Sequence, residues 1–141
     1  MIIKIRKATS ADAKQIAELS QGLGYHADPE TRLELVEKVI TCACHTVIVA
    51  EVDKTLVGWL HAFYSPRVGS PAFYEIGGMV VDDKLKGKGI GKQLVHYVQA
   101  KYPGEWRVRT NEVREDAIAF YRALGFSQIK HQLVFSQQPE R

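Results

Sequence analysis

The sequence has few cysteines and no long apolar run. Its two cysteines, Cys42 and Cys44, are too few and too close together to cross-link a small secreted fold. No apolar stretch approaches the roughly 20 residues that cross a bilayer, and no basic, apolar leader precedes the first periodic segment. With 45% hydrophobic and 25% charged residues, the composition is that of a globular protein. We therefore expect one soluble domain, residues 1–141, that is cytoplasmic and has no membrane partner.

Acidic residues are missing from one basic stretch. Residues 84–101 contain five lysines and no Asp or Glu, a charge of +5, whereas the whole chain nets 19 − 16 = +3 and the remainder +3 − 5 = −2. Such a segment indicates an anion site, a nucleic-acid surface or a solvated face. Because the chain as a whole is barely basic, we expect no nucleic-acid partner and assign the +5 to a single bound anion at one loop.

Hydrophobic periodicity and turn residues predict the element order β, α, α, β, β, β, α, β, α, β. The predicted helices start near Thr9 and Asp28 and cover residues 89–101 and 115–124. The predicted strands cover residues 2–6, 46–52, 56–64, 73–81 and 106–110, with a last strand within 126–136. Because this order contains both hairpin-linked and crossover-linked strands, we expect an α/β (α+β) fold with helices packed on a single mixed sheet.

Glycine and lysine alternate between the fourth predicted strand and the third predicted helix. The segment Lys86-Gly87-Lys88-Gly89-Ile90-Gly91-Lys92 presents bare backbone N–H groups at a helix N-terminus, which suits a phosphate or pyrophosphate. It is not a P-loop, whose glycines are farther apart and whose lysine precedes Ser or Thr, and Lys92 breaks the dinucleotide-binding pattern. A solvated glycine-rich turn remains the alternative.

Three segments of the C-terminal half, taken together, form a pattern that is specific for one protein family. They are Glu75-Ile-Gly-Gly-Met-Val-Val-Asp-Asp, then Lys-Gly-Lys-Gly-Ile-Gly, then Asn111 with Ala117-Ile-Ala-Phe-Tyr-Arg-Ala-Leu-Gly-Phe126. The glycine pair of the first segment indicates a bulge or a close approach to the strand. Together they resemble the GNAT superfamily of N-acetyltransferases. The resemblance implies an acetyl-CoA-dependent enzyme with a mostly antiparallel twisted sheet of about six to seven strands flanked by four helices.

The resemblance also implies which residues bind acetyl-CoA. The loop would hold the pyrophosphate, the long strand would pair with the pantetheine arm, and the residues around the last helix would border it. These residues are Lys86, Gly87, Lys88, Gly89, Ile90, Gly91 and Lys92 in the loop, Met79, Val80 and Val81 on the strand, and Asn111, Ala117, Phe120 and Tyr121. Lys86 and Arg114 depart from the family pattern, which usually has Arg or Gln at the first position and Asn at the second; Lys86 keeps the charge of arginine without its planar fork.

Two side chains are the predicted catalytic residues. Tyr121 matches the tyrosine that protonates the departing CoA thiolate, and a phenol with a pKa near 10 is suitably paired with a thiol near 8.5. Glu75 is the candidate to accept the proton of the amine through water before the amine attacks the thioester directly. The alternatives are a core aromatic for Tyr121 and, for Glu75, a strand carboxylate paired with a neighbouring cation or facing solvent.

The segment Cys42-Ala-Cys-His45 lacks the further ligands that a structural zinc site uses, so we expect no metal. Its thiols are expected to pack as small hydrophobic groups at the end of the second helix, with an acyl relay as the alternative. His61 is the one histidine kept as a substrate-side residue, and Tyr25 lies where GNAT-like proteins border the acceptor pocket.

The sequence leaves the acceptor open, because neither fold nor cofactor site specifies the amine. Small-molecule amines and the amines of proteins or peptides both remain candidates, and the family favours a homodimer. A different function on the same fold is a non-catalytic acyl-CoA-binding regulatory module. Such a module would bind CoA without acetylating any amine.

Overall fold

Five strands form one sheet, in the order β1-β2-β3-β4-β5, in the computed structural model, which describes residues 1–23 and 28–139. The first four strands pair antiparallel in sequence order, whereas β4 and β5 are parallel because a helix connects them. The mixed, mostly antiparallel sheet is therefore confirmed. The strands are β1 (Lys4–Lys7), β2 (His45–Val52), β3 (Thr55–Ser65), β4 (Phe73–Val81) and β5 (Trp106–Val108).

Both predicted helix starts are present: Thr9 caps a 3₁₀ turn, Ser10–Asp12, that leads into the first α-helix, and Asp28 caps the second directly. Asp12 Oδ2 accepts a hydrogen bond from the backbone N–H of Thr9 at 2.8 Å, and Asp28 Oδ1 accepts one from the N–H of Thr31 at 2.9 Å. The α-helices of the described residues are α1 (Ala13–Leu19), α2 (Pro29–Thr41), α3 (Ile90–Lys101) and α4 (Glu115–Ala123). In this part of the chain, no helix combines the length and the apolar character of a membrane span.

A two-residue turn joins β2 to β3. Asp53 and Lys54 both have positive φ, 50° and 66°, which is typical of the type I′ turn whose twist matches that of the flanking strands. The turn fixes the hairpin register, in which His45 lies opposite Phe63 and Val47 opposite His61. Side chains two residues apart then share a face, so His45 and His61 project from the same side of the sheet.

One side of the sheet, the α3 face, is entirely apolar at its centre. Ile48 and Leu60 from the strands and Leu94 from α3 are completely buried. At Gly58 of β3, a Cβ atom would lie 3.0 Å from the carbonyl oxygen of Val80 and 3.4 Å from Cγ2 of Ile90. Because Gly58 has no side chain, the first turn of α3 packs directly on β3, and this contact fixes the position of the loop that precedes the helix.

The other side, the ionic face, carries Arg6, Trp59, His61 and Glu75, and α1 and α2 cover its Trp59 region. Arg6 donates to both carboxylate oxygens of Asp12, at 2.7 and 2.9 Å, and to Glu51 on β2 at 3.3 Å. Asp12 is buried, and the hydrogen bonds from Arg6 hold the pKa of its carboxyl below the ordinary value. This network anchors the start of the first helix to the sheet.

The chain divides into two compact units, Met1–Arg109 and Thr110–Arg141. The second contains α4 and, over residues 126–139, a segment without regular secondary structure. The prediction of a strand within residues 126–136 is therefore wrong, and the described residues form five strands rather than six to seven. Up to residue 139, the second unit contains no strand with which this segment could pair, and Val134 and Phe135 are 93% and 88% exposed.

Candidate active site

The strand β4 is paired along only part of its outer edge. β5 pairs with Tyr74–Ile76 and ends at Val108, so in the described parts of the chain the edge of β4 from Gly77 to Val81 has no strand partner. An unpaired edge presents N–H and C=O groups to an extended ligand. This edge contains the predicted cofactor residues Met79, Val80 and Val81.

The glycine pair forms a β-bulge in β4. The register shifts between His61 and Ala62, which leaves Gly77 as the extra residue. A Cβ atom on Gly77 would lie 2.7 Å from His61 Nδ1, and one on Gly78 would lie 3.3 Å from the Trp59 ring. Both the predicted bulge and the predicted close approach are confirmed, and the approaching groups are rings of β3. Gly77 is nevertheless exposed, so the backbone at the bulge is accessible to solvent.

Glu75 lies on β4 two residues before the bulge and is 8% exposed. The guanidinium of Arg109 donates through Nε to both carboxylate oxygens, at 3.1 and 3.3 Å. Glu75 is therefore paired with a neighbouring cation, which was the structural alternative for this residue. Arg109 is a site residue that the sequence did not indicate, because it is 34 positions away and the parallel crossover alone brings it to β4.

Two left-handed glycines shape the loop between β4 and α3. Gly87 and Gly89 have φ values of 80° and 83°, which glycine adopts without steric cost. Gly89 accepts the first hydrogen bond of α3, from Gln93 N–H at 3.1 Å, so the N–H groups from Gly89 to Lys92 have no partner within the helix. They form an N-terminal turn suited to an anion.

The lysines of the basic stretch do not all lie at this loop. Lys101 is at the opposite end of α3, about 18 Å along the helix axis, with its ammonium near the Tyr97 ring. Lys86 pairs with Asp83 at 2.8 Å. The assignment of the full +5 to one loop is therefore wrong, because a linear count cannot show which end of a helix a lysine occupies. The other lysines of the stretch are exposed near the start of α3: Lys84, Lys88 and Lys92.

The remaining predicted cofactor residues lie in the second unit. Asn111 precedes α4, and its Oδ1 accepts a hydrogen bond from the N–H of Val113 at 3.1 Å. Ala117 and Phe120 are half-buried on α4. The Asn111 side chain therefore orders the turn that begins the helix.

Tyr121 is half-buried on α4. Its ring meets those of Phe120 and Phe126 edge to face, with centroids 5.0 and 5.5 Å away. Burial raises the pKa of the Tyr121 phenol above its ordinary value, and the opposing effect of Arg114 is smaller. The phenol is therefore protonated at neutral pH, as a proton donor must be.

A histidine pair lies beside the bulge. His45 Nδ1 and His61 Nε2 are 2.7 Å apart, and the two rings are stacked with centroids separated by 5.0 Å. Burial, and then the proximity of His45, lower the pKa of His61 to about 4, so its ring is neutral at pH 7. The sequence singled out His61 but not this pairing, although the hairpin register contains the signal for it.

The thiols of Cys42 and Cys44 are free and exposed, in the connection between α2 and β2. The expectation that they pack as hydrophobic groups is wrong, because α2 ends at Thr41 and the connection turns at the surface. Within residues 1–23 and 28–139, no three His, Cys, Asp or Glu side chains are grouped closely enough to hold a metal ion. The expectation for Tyr25 falls outside the described residues.

A family model described as the acetyltransferase (GNAT) domain matches residues 43–128, which is more than half of the chain. The matched span contains the bulge, the unpaired edge of β4, the glycine loop and α4. The chain belongs to the GNAT acetyltransferase family. As a GNAT protein it is an acetyl-CoA-dependent N-acetyltransferase.

Known GNAT proteins match nearly the whole chain. N-alpha-acetyltransferase RimI of Mycobacterium tuberculosis (strain ATCC 25618 / H37Rv) is 33% identical over 131 residues, which cover 90% of this chain and 80% of that protein. The structure of aminoglycoside N-acetyltransferase AAC(6')-Iy in complex with CoA matches with a TM-score of 0.87 and 18% identity, covering 98% of this chain and 96% of that one.

A second similar structure is that of an enzyme whose name gives a different kind of acceptor. Ribosomal-protein-alanine N-acetyltransferase from Brucella melitensis biovar Abortus 2308 matches with a TM-score of 0.77 and 20% identity, over 97% of this chain and 100% of that one. Both structural likenesses confirm the GNAT fold.

Proposed function

We propose that this GNAT protein transfers the acetyl group of acetyl-CoA to a primary amine by direct attack in a ternary complex, with residues 1–141 acting as one catalytic domain. The observation that carries the proposal is a continuous path in the first unit. It runs from the N-terminal turn of α3 along the unpaired edge of β4 to the exposed bulge at Gly77. A pyrophosphate suits one end of this path and a reacting thioester the other.

At the start of α3, the loop Lys86–Lys92 binds the phosphates through its free N–H groups, with the lysine charges adding to the helix dipole. The pantetheine amides pair with the backbone of Met79, Val80 and Val81 as an added strand. From Val81 back to Gly77 is about 13 Å at about 3.3 Å per residue, so an extended arm brings the thioester toward the bulge. The presence of CoA in the AAC(6')-Iy structure supports this use of the fold.

Four further residues take their proposed roles from the family resemblance alone. Asn111, Ala117 and Phe120 border the pantetheine, as the family resemblance implies. Tyr121 protonates the departing thiolate, which its raised pKa supports because the phenol retains its proton at neutral pH. The C–S bond breaks as CoA leaves, and CoA departs as the neutral thiol.

Glu75 receives the first proton of the acceptor through water. An amine reaches the site as an ammonium, which has no lone pair and cannot attack a carbonyl carbon. The Glu75 carboxylate is buried on one side by β4 and bound by Arg109, whose side chain is 50% exposed, so the pair opens to solvent. A water between this pair and the ammonium carries the proton away and leaves the free amine.

The acceptor is a primary amine of a peptide, a protein or a small molecule. The M. tuberculosis relative is named for N-alpha-acetylation and two structural neighbours for aminoglycosides and ribosomal-protein alanine, so amines of both kinds are the first to test. We also propose a cytoplasmic location, which the two free thiols support. A homodimer is supported by the exposed apolar side chains of residues 126–139.

The test combines calorimetric binding of acetyl-CoA with release of CoA thiol in a panel of amines. The panel contains a hexapeptide with a free N-terminal alanine, the same peptide with a blocked N-terminus, an aminoglycoside and a lysine derivative. Binding together with transfer to at least one free amine is the expected result. Binding without any transfer would support the regulatory module instead, and absence of binding would exclude both functions.

Replacing Tyr121 by Phe tests the proton donor. Without the hydroxyl, the thiolate leaves unprotonated, so kcat is expected to fall about 100-fold while the Kd for acetyl-CoA changes less than about twofold. Tyr64→Phe, at a residue that is 43% exposed on β3, is the matched control. Equal turnover of the two variants at saturating substrates would contradict the role of Tyr121.

A further inference from the structure

The His45–His61 pair lies where the proposed reaction requires a second proton acceptor. A primary ammonium loses two protons when it becomes an amide: one before it attacks, and one after its nitrogen has bonded to the thioester carbon. Glu75 is assigned the first proton, and Tyr121 supplies a different proton to the thiolate. No residue of the proposed mechanism accepts the second proton from nitrogen.

His61 is in direct contact with the bulge that ends the unpaired edge of β4. Its Nδ1 is 2.7 Å from the position that a Cβ atom on Gly77 would occupy, and Phe63 flanks the same position at 3.1 Å. Gly77 is exposed, and within the described residues its outer edge has no strand partner. The backbone of the bulge is therefore accessible to a thioester, and the imidazole edge of His61 packs directly on that backbone.

The contact with His45 determines which nitrogen of His61 is available. The 2.7 Å separation between His45 Nδ1 and His61 Nε2 is a hydrogen bond in which one nitrogen carries the hydrogen. When His61 donates through Nε2, its Nδ1 has a free lone pair that faces the bulge. His45 then holds its own hydrogen on Nε2, and both rings are neutral.

A neutral ring in this environment is a weak base, which suits the second proton rather than the first. Burial holds the pKa of His61 at about 4, too low to deprotonate a free ammonium. The nitrogen of the tetrahedral adduct becomes far more acidic as the C–S bond breaks, because its lone pair is drawn into the re-forming carbonyl. Among the other charged groups on this part of the ionic face, Glu75 and Arg109 are paired with each other and Arg107 is paired with Glu105.

We propose that His61 is a catalytic residue whose Nδ1 accepts the second proton of the acceptor nitrogen, and that His45 is a positioning residue that holds His61 in the required tautomer. This role rests on the proposed acetyl transfer. The N–C bond forms as the amine attacks, the N–H proton passes to His61 Nδ1, and the C–S electron pair leaves with sulfur, which Tyr121 protonates. After the amide departs, His61 and Glu75 release their protons to solvent and Tyr121 takes one back, so the net reaction releases one proton per ammonium.

The kinetic test uses single turnovers of acetyl-CoA with the amine of the panel that reacts fastest. His61→Gln is expected to lower the rate about 100-fold, with the Kd for acetyl-CoA unchanged within about twofold. His96→Gln, the same replacement at an exposed position of α3, is the control and leaves the rate unchanged. A His61→Gln protein that reacts as fast as wild type would overturn the proposal.

The positioning role of His45 has a separate readout. His45→Ala is expected to lower the rate about tenfold without affecting acetyl-CoA binding. His45→Gln is expected to restore most of that loss, because the amide oxygen accepts the hydrogen bond from His61 Nε2. Equal rates for the two variants would show that His45 acts through packing alone.

Two further measurements do not depend on replacing a histidine. Gly77→Ala places a methyl group against His61 Nδ1 and is expected to lower the rate at least tenfold, whereas Gly69→Ala, at a position with open space around it, does not. In 15N-histidine NMR spectra of the wild-type protein, the expected state has the hydrogen of His61 on Nε2. A hydrogen on Nδ1 would overturn the proposal even if every variant were slow. Failure of the proposed function would look different: wild-type protein would acetylate none of the amines.

Discussion

The two faces of the sheet in the first unit divide stability and chemistry between them. On the α3 face the central residues, such as Ile48, Leu60 and Leu94, are apolar and completely buried. The buried polar residues of the described chain, Asp12, Ser20 and Glu75, belong instead to the ionic face or to the helices that cover it. The difference shows that the apolar face fixes the position of α3 and of the loop before it, whereas the buried ionisable groups lie on or beside the other face, where we propose that proton transfer takes place.

The two faces also differ in how their buried side chains stabilise the fold. A buried aliphatic side chain contributes about 1.5–3 kcal/mol to the stability of the fold in any orientation. A buried ionisable group, in contrast, stabilises the fold only while its partner is present and correctly protonated. The α3 face should therefore respond to changes in volume, and the ionic face to changes in charge and pH. Four experiments test that contrast.

The largest effect is expected from Leu94→Ala on the α3 face. The side chain is completely buried between α3 and the sheet, so its truncation leaves a cavity and should lower the free energy of unfolding by about 3–4 kcal/mol. Gln93→Ala, at the exposed neighbouring position, should change it by less than about 0.5 kcal/mol. Urea denaturation measures both, and a loss below about 1 kcal/mol for Leu94→Ala would show that this face is not close-packed.

On the ionic face, Asp12→Ala should cost about 2–3 kcal/mol. The substitution removes a buried carboxylate that accepts two hydrogen bonds from Arg6 and one from the backbone of Thr9; the 30% exposure of Arg6 reduces the penalty for leaving it unpaired. Asp83→Ala breaks the exposed pair with Lys86 and is the matched control, with a change below about 0.5 kcal/mol. Similar losses for both variants would remove the distinction between buried and exposed ion pairs.

Acid should destabilise the ionic face through His61. The pKa of this ring is about 4 in the folded protein and near 6.5 in the unfolded chain, so the unfolded state binds the additional proton between these values. The contribution is complete above pH 6.5 and is lost as the pH falls toward 4. Because the ring is partly accessible to solvent, we expect a loss of about 1–2 kcal/mol. His61→Phe should abolish this part of the pH dependence, and an identical slope in the variant would contradict the assignment.

The smallest effect is expected at the two ends of α3. Lys88→Gln should weaken acetyl-CoA binding by about 0.5–1 kcal/mol, a few-fold in Kd, because an exposed lysine near the phosphates is screened by salt. Lys101→Gln, at the other end of the helix, should leave the Kd unchanged. Calorimetry at two salt concentrations distinguishes the variants, and equal effects would mean that the basic stretch acts as a whole.

Features encoded by neighbouring residues were predictable from the sequence. The helix starts at Thr9 and Asp28, the bulge at the Gly77-Gly78 pair and the glycine-rich turn before α3 follow from the local preferences of these residues. The β-branched and aromatic runs of β2 and β3 likewise predicted the central hairpin. Which of these elements surround the cofactor follows from the family resemblance and stays a prediction.

Features that depend on distant partners were not predictable in this way. The Arg109–Glu75 pair is created by the parallel crossover, and the His45–His61 pair by the register of a hairpin. The strand expected within residues 126–136 shows the converse, because the described part of the second unit offers no strand to pair with this segment. Local residue preferences therefore predict the capacity to pair, and the partner decides whether pairing occurs.

The bulge also determines which side chains of β4 lie on each face of the sheet. On the N-terminal side of the bulge, Phe73 and Glu75 project to the same face as Trp59; on the C-terminal side, Gly78 and Val80 do, because one extra residue interrupts the alternation. Without Gly77, the pairs His61–Gly78 and Ala62–Ile76 would follow one another in regular alternation, and the Glu75 carboxylate would stay on its present face. Deletion of Gly77 would therefore remove the exposed backbone of the bulge and leave the side chains of β4 on their present faces, which no substitution at Gly77 can do.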